Sequence, residues 1–193
     1  MRLLKRTQRG GAPNILLGIL RVAFGRPDGL ARFGATRQAF LASLAPLIAF
    51  PLVGGALMVA GGAGRAGAAQ FLAALCALLA PPVLSFEVAR LWGCGATWLR
   101  FATALNWCQW AIPVVAAVAL AVLPPLLIGL LSDRAALAAT LGAVGCYALW
   151  LHWFVARHGL GVSPLRGAAL VLLVNLGTGV LVLGPTVLEA AWR

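Results

Sequence analysis

Five long stretches without a charged residue constrain this chain more than any other feature. They cover residues 38–64, 66–86, 101–132, 135–156 and 167–188. Each reaches or exceeds the ~20 residues that an α-helix needs to cross ~30 Å of hydrocarbon. Because hydrocarbon offers no partner to backbone N–H and C=O groups, each stretch must be a helix that satisfies its own backbone. The sequence therefore predicts an all-α polytopic membrane bundle with five transmembrane helices.

Capping residues help to set the limits of these spans. Ser132 stands where the N-cap of the fourth span belongs, and Ser163 followed by Pro164 is typical of a helix start. The longest piece outside the spans is the N-terminal 37 residues, which is too short for a soluble domain of ordinary size. We therefore predict a basic segment over residues 1–37 and a transmembrane domain over 38–193. Its spans are predicted at 39–62, 66–89, 104–131, 134–156 and 164–189.

Basic residues divide unevenly between the two sides that five spans would create. Eight precede the first span, and two lie in each of the connections that follow spans two and four. The other two connections and the C-terminus carry one each. By the positive-inside rule, the N-terminus is cytoplasmic and the C-terminus lies outside. The same excess predicts contact with anionic lipid at the cytoplasmic face. No nucleic-acid partner is expected, because the basic residues are not interleaved with aromatic ones.

Tryptophan supports the same orientation. The indole ring favours the headgroup level, because its body is apolar and its N–H seeks a hydrogen-bonding partner. Only Trp192 lies at the outer end of a span, so we interpret the other six as an interfacial belt at the cytoplasmic ends of spans two, three and four. These six are Trp92, Trp98, Trp107, Trp110, Trp150 and Trp153.

The N-terminal segment has two parts. Residues 1–12 are basic and contain glycine, which predicts disorder. Residues 14–37 combine apolar clusters with arginines, and they predict interfacial helices on the cytoplasmic leaflet. The first helix would begin at Asn14 and close at Gly25, and the second would be capped by Asp28 and continue into the first span. Docking of a soluble partner is the alternative role for this segment.

Glu87 is the only acidic residue close to the interior of a span. An ionisable residue inside a membrane marks a functional site by default. However, Glu87 lies near the end of its span and three positions before Arg90, so the two side chains share one helix face. We therefore interpret them as an ion pair at the membrane surface.

Other polar side chains interrupt the spans singly. Asn106 and Gln109 begin the third span, and Asn175 and Thr178 lie near the middle of the fifth. Amide side chains commonly form hydrogen bonds between membrane helices, and this is the role that we predict for them. The candidate functional or packing residues are therefore Glu87, Arg90, Asn106, Gln109, His152 and Asn175.

Two further patterns bear on how the helices run and pack. Ala138, Gly142 and Cys146 recur at four-residue spacing in span four, which favours close packing within the chain, with dimerisation as the alternative. Pro81–Pro82 predicts a kink late in span two, and Pro124–Pro125 is a candidate end for span three.

The sequence predicts neither catalysis nor a metal site. His152 and His158 lie six positions apart, and the four cysteines form no CxxC, so the spacing of metal ligands is missing. There is no GxSxG, HExxH or phosphate-binding loop, and no pair of acidic residues within the spans. We therefore predict no enzyme activity, no cofactor, no metal and no disulfide.

Three short segments carry a resemblance to a known family. They are Ala104–Gln109, Trp153–Arg157 and Val162–Pro164. With its cytoplasmic N-terminal extension, five spans and outer C-terminus, the plan is similar to that of Yip1-type membrane proteins and of small bacterial membrane proteins. Arginine outnumbers lysine 14 to 1, which is typical of a GC-rich bacterial genome and predicts a bacterial inner membrane. The resemblance implies a non-enzymatic membrane scaffold.

Two functions are compatible with these features. The first is a structural or partner-binding membrane protein that meets other membrane proteins or a second copy of itself. The alternative is a small oligomeric transporter, channel or channel subunit, which a stripe of polar residues along a pore would favour. The polar residues are scattered singly along the sequence, which favours the scaffold. They are Gln70, Asn106, Gln109, His152 and Asn175.

Overall fold

The computed structural model describes residues 12–62, 64–127 and 129–191. The predicted disorder of residues 1–12 and the position of Trp192 therefore lie outside the described residues, apart from Ala12. Within the described ranges the chain forms α-helices and one 3₁₀-helix, η1. In chain order these are α1 (Ala12–Ala23), η1 (Pro27–Arg32), α2 (Arg37–Ala60), α3 (Gly64–Leu91), α4 (Gly95–Cys108), α5 (Ala111–Leu127), α6 (Asp133–Leu160) and α7 (Pro164–Ala191).

Five segments of the described chain are long and apolar enough to cross a membrane. The predicted all-α bundle of five spans is confirmed, and the protein is a multi-pass membrane protein. The third segment combines α4 and α5, whereas each of the other four lies within a single helix. The segments are Arg37–Met58, Gly67–Leu91, Gly95–Leu127, Asp133–Leu160 and Pro164–Gly184.

The third span is broken at Gln109 and Trp110. Pro113 lacks the N–H that would donate to the carbonyl of Gln109, and this carbonyl accepts instead from the N–H of Ile112 at 3.1 Å. The N–H of Trp110 likewise bonds three residues back, to the carbonyl of Trp107 at 3.2 Å. A tighter turn therefore joins α4 to α5. This break was not predicted from the sequence.

The two proline pairs lie inside their helices. α3 runs through Pro81–Pro82 and continues to Leu91, so this pair does not end the second span. α5 runs through Pro124–Pro125 and stops at Leu127, so the third span ends just after its proline pair, close to where the sequence placed a candidate end.

The helices pack most closely at one end of the bundle. This end contains the α3–α4 and α6–α7 connections, and we call it the basic end because Arg90, Arg100, Arg157 and Arg166 lie near it. α4 is at the centre of the core there, in contact with α1, α2, α3, α5 and α6. Its residue Phe101 is 2% exposed. α4 therefore contacts most of the other helices of the bundle at this end.

Toward the opposite end, apolar side chains face outward. Leu57 on α2, Leu120 on α5 and Leu181 on α7 are all exposed. Lipid tails are as apolar as leucine, so such faces need no protein cover in a membrane. Exposed apolar surface is therefore expected on this fold, and close packing at the basic end is the more informative feature.

α1 packs against the bundle with one face and exposes the other. Val22 is fully buried, and the Tyr147 hydroxyl on α6 donates to the carbonyl of Ala23 at 3.1 Å. Gly25 adopts a φ of +73°, which closes α1 beside Trp150. Ala23 lies beside Tyr147, ~20 Å from the end of α6 at Leu160, so the interfacial position of α1 stays a prediction. The opposite face of α1 is apolar and exposed. It carries Leu16, Leu17, Leu20 and Phe24.

The prediction of a second interfacial helix that continues into the first span is wrong. Pro27–Arg32 forms a short 3₁₀-helix, and α2 begins separately at Arg37. The Thr36 hydroxyl caps α2 by accepting a backbone N–H at 3.1 Å. Asp28 does not cap a helix with its side chain but forms an ion pair with Arg21 of α1. This exposed pair links η1 to α1.

Candidate functional site

A pocket of about 100 Å³ lies between α3, α4, α6 and α7. Its walls are mostly apolar, with Phe101 and Leu105 from α4 and Leu170 and Val174 from α7. Uncharged polar side chains from distant parts of the chain also line it. They are Ser85 on α3, Gln109 at the α4–α5 break, His152 on α6, and Asn175 and Thr178 on α7.

The pocket lies inside the membrane-spanning helices. At a rise of ~1.5 Å per residue, His152 is ~12 Å from the end of α6 at Leu160. By the same measure Asn175 is ~16 Å from the start of α7 at Pro164. The polar residues therefore lie about two to three helical turns in from the basic end.

Two polar atoms of the pocket residues have no partner. Nε2 of His152 and Oγ1 of Thr178 are fully buried, and neither forms a hydrogen bond with any of the described residues. Buried polar atoms of side chains nearly always have a partner, and leaving one unpaired costs about 1–3 kcal/mol. A molecule in the pocket would provide such partners. These two atoms are therefore the strongest indication that the pocket binds something.

The two amide side chains of the pocket retain hydrogen-bonding capacity. Nδ2 of Asn175 donates to the carbonyl of Val171 in its own helix at 2.7 Å, so this bond does not join two helices as predicted. An amide has two N–H donors and a carbonyl acceptor, which leaves Asn175 with an acceptor and one donor to use. Gln109 is brought to the pocket by the α4–α5 break, because it is the residue at which α4 stops.

Ser85 differs from the other polar residues of the pocket because its hydroxyl is engaged. It donates to the carbonyl of Pro82 and accepts from Nε1 of Trp98, each at 3.1 Å. Trp98 is 8% exposed and packs against the rings of Phe40 and Phe86, with ring centroids 5.2 and 4.9 Å away. The assignment of Trp98 to an interfacial belt is therefore wrong, since it is a core residue that joins α4 to α3.

Asn106 lies outside the pocket and links two helices. Its Nδ2 donates to the hydroxyl of Ser43 on α2 at 2.9 Å, and both residues are buried. The Ser43 hydroxyl in turn donates to the carbonyl of Phe40 at 2.6 Å. Asn106 thus makes the interhelical hydrogen bond that amides commonly form in membranes, and it ties α4 to α2.

Glu87 and Arg90 also lie outside the pocket. Their side chains form an ion pair at 2.6 Å near the end of α3 and are 49% and 66% exposed. An exposed pair of this kind contributes only ~0–1 kcal/mol. Nearby, the guanidinium of Arg166 lies 5.8 Å from the ring centre of Trp92. Glu87 therefore sits in a surface cluster and takes no part in lining the pocket.

The small residues of α6 do not pack within the chain. Ala138, Gly142 and Cys146 are exposed, and a Cβ added at Gly142 would meet no described atom within 4 Å. The buried positions in this part of α6 are Ala136 and Thr140, on another face. The expectation of packing within the chain is wrong for this stripe, which we call the small-residue face. Dimerisation through it stays a prediction.

Sequence reasoning named four polar residues of the pocket without placing them together. Gln109 and His152 lie far apart in the sequence from each other and from Asn175 and Thr178, and the structure brings all four to one cavity. Ser85 was not predicted at all. The available signal was helical spacing, since Pro81 and Ser85 lie one turn apart on α3 and both line the pocket.

Neither potential metal ligands nor similarity to known proteins indicates a function. In the described parts of the chain, no three His, Cys, Asp or Glu side chains converge as metal ligands would. Comparison of the chain with protein-family models, curated proteins and solved structures finds no match. The geometry of the pocket is therefore the basis for a functional interpretation.

The different bonding of the two asparagines predicts different effects on stability. Asn106→Leu should lower the free energy of unfolding by ~0.6–2 kcal/mol, because it removes a hydrogen bond between α4 and α2. Asn175→Leu should cost less, because it removes a bond within one helix. Unfolding of both variants in detergent micelles would measure the difference. A larger loss for Asn175→Leu would contradict these assignments.

Proposed function

We propose that this protein is a small membrane transporter or channel subunit that binds its solute in the pocket between α3, α4, α6 and α7. One observation carries the proposal. Four separate spans contribute uncharged polar groups to one cavity within the bundle, and the buried atoms of His152 and Thr178 have no partner there among the described residues. A protein that only fills a structural role gains nothing from two unpaired polar groups in its interior.

The broken third span supports this proposal. At Gln109 the backbone keeps helical dihedral angles (φ −56°, ψ −29°), and the bonds of Trp110 and Ile112 to carbonyls three residues back tighten the turn. Discontinuous spans that meet a binding site are a recurring feature of transporters. Here the break at Gln109 and Trp110 delivers the Gln109 side chain to the pocket. One chain with five spans offers little room for a complete pathway, so we place it in an oligomer.

Access from water distinguishes a solute site from a closed cavity. In a chain whose native cysteines are replaced, Thr178→Cys should react with a small water-soluble methanethiosulfonate reagent, because thiolates form only where water reaches them. Thr140→Cys is the matched control, since Thr140 is fully buried in α6 outside the pocket. Labelling in native membranes, read by mass, is the measurement. Failure of Thr178→Cys to react, or equal reaction of both, would count against the proposal.

We also propose that the basic end faces the cytoplasm of a bacterial inner membrane. Arg90, Arg100, Arg157 and Arg166 lie near this end, whereas Arg134 lies in the first turn of α6 at the opposite end. This asymmetry follows the positive-inside rule, and the exposed apolar face of α1 would then rest on anionic lipid of the inner leaflet.

Reporter fusions test this orientation. A reporter that is active only in an oxidising external compartment should be active when fused after Gly129, in the α5–α6 connection. It should be silent when fused after Gly161, in the α6–α7 connection. The reverse pattern would invert the orientation, and activity at both positions would contradict the five-span topology.

A structural or partner-binding role is the second candidate, and the small-residue face of α6 favours it. Such faces let two helix backbones approach closely in membranes. The resemblance to Yip1-type proteins supports the same candidate. The partner that we propose on this face is a second copy of the chain.

Cysteine cross-linking tests this second candidate. A chain that retains only Cys146 should form a disulfide-linked dimer on mild oxidation in membranes, because the two small-residue faces would place these thiols opposite each other. A chain that retains only Cys76, which is also exposed but lies on α3, is the control. A dimer of the chain that retains only Cys76, without a dimer of the chain that retains only Cys146, would exclude pairing through α6. The absence of dimers from both chains would exclude it as well.

A further inference from the structure

The pocket contains no charged side chain. Its lining residues include no Asp, Glu, Lys or Arg, so His152 has no acidic neighbour among them. On the same helices, Glu87 pairs with Arg90, the guanidinium of Arg157 lies 5.4 Å from the ring centre of Trp153, and Arg100 is exposed. An ion would lose its hydration here without a counter-charge, which is very costly in a low-dielectric site. The chemistry of the walls thus selects an uncharged solute.

The solute must both donate and accept hydrogen bonds. The Thr178 hydroxyl is able to do either, and a neutral imidazole presents one donor and one acceptor according to its tautomer. Asn175 retains its carbonyl as an acceptor, while Gln109 adds a complete amide group. An apolar molecule in the same space would leave the buried atoms of His152 and Thr178 unpaired.

The volume limits the size of the solute. An engineered cavity of roughly 150 Å³ holds benzene, and one water occupies about 30 Å³ of the liquid. By comparison with the benzene cavity, the pocket of about 100 Å³ offers room for a molecule of about four non-hydrogen atoms, and Asn175 on its wall is exposed.

We infer that the pocket recognises a small uncharged amide, of the size and hydrogen-bonding pattern of urea. This inference rests on the proposed transport function. Amides present donors and an acceptor in one plane within about four non-hydrogen atoms, which matches the volume and the mixed hydrogen-bonding groups of the walls. Phe101 and Leu170 form apolar walls beside these groups.

Solute flux into liposomes that contain the purified full chain tests this inference. Light scattering after rapid mixing would follow urea, and guanidinium is the matched probe because it has the same planar shape but carries a positive charge. Urea should enter at least tenfold faster than into protein-free liposomes, while guanidinium should show no increase. Thr178→Val and Gln109→Leu, on two different spans, should each reduce urea flux about tenfold. Thr140→Val, which changes a buried threonine outside the pocket, should leave it unchanged.

A stability measurement separates binding from a structural role. Thr178→Val keeps the shape of the side chain and removes a hydroxyl that has no partner in the described chain, so the Tm should stay equal or rise while flux falls. A lower Tm together with normal flux would overturn the inference.

The remaining outcomes distinguish this inference from the proposed function. Equal flux of urea and guanidinium would overturn the selection for uncharged solutes but leave a transporter. Flux of water alone would overturn the amide assignment, and the pocket would then hold a water cluster. No flux of any probe, together with no labelling of Thr178→Cys, would remove the proposed function itself.

Discussion

The whole structure depends on the requirement that polar groups in hydrocarbon find partners within the protein. Backbone N–H and C=O groups meet this requirement by forming helices, which is why long uncharged stretches alone predict five spans. Where the helix is interrupted, between α4 and α5, the freed groups turn to partners three residues away, as Ile112 does with Gln109. Side chains meet the same requirement through specific contacts: Asn106 bonds to Ser43 across α4 and α2, and Trp98 bonds to Ser85 across α4 and α3.

Against this background the exceptions are informative. Among the described residues, three buried polar side-chain atoms have no partner: Nε1 of Trp110, Nε2 of His152 and Oγ1 of Thr178. His152 and Thr178 line the same cavity, which also receives two amide side chains, whereas Trp110 does not line it. Strain of this kind persists where function requires it, since a core of apolar residues would be more stable. If the proposed function is correct, the pocket is a site at which stability is given up for recognition.

Sequence reasoning reached the fold more readily than the site. Hydrophobic length identifies a span without any knowledge of its neighbours, so the five spans and the Ser132 cap follow directly from the sequence. Whether Asn106 and Gln109 serve the same purpose depends on which helices lie beside α4, and they turn to different partners. The break in the third span has a local signal in the sequence, Pro113, which lacks a backbone N–H. The effect of this proline on the helix also depends on the contacts of α4, which the sequence does not show. The small-residue face could not be assigned, because four-residue spacing does not say which neighbour, if any, covers it.

An experimental structure of the protein in a lipid nanodisc with urea present would test the central claim most directly. The account predicts a compact feature in the pocket, within hydrogen-bonding distance of His152 Nε2 and Thr178 Oγ1 and absent when urea is replaced by guanidinium. A lipid acyl chain in the cavity, or a His152 ring turned to bond with another part of the chain, would contradict it.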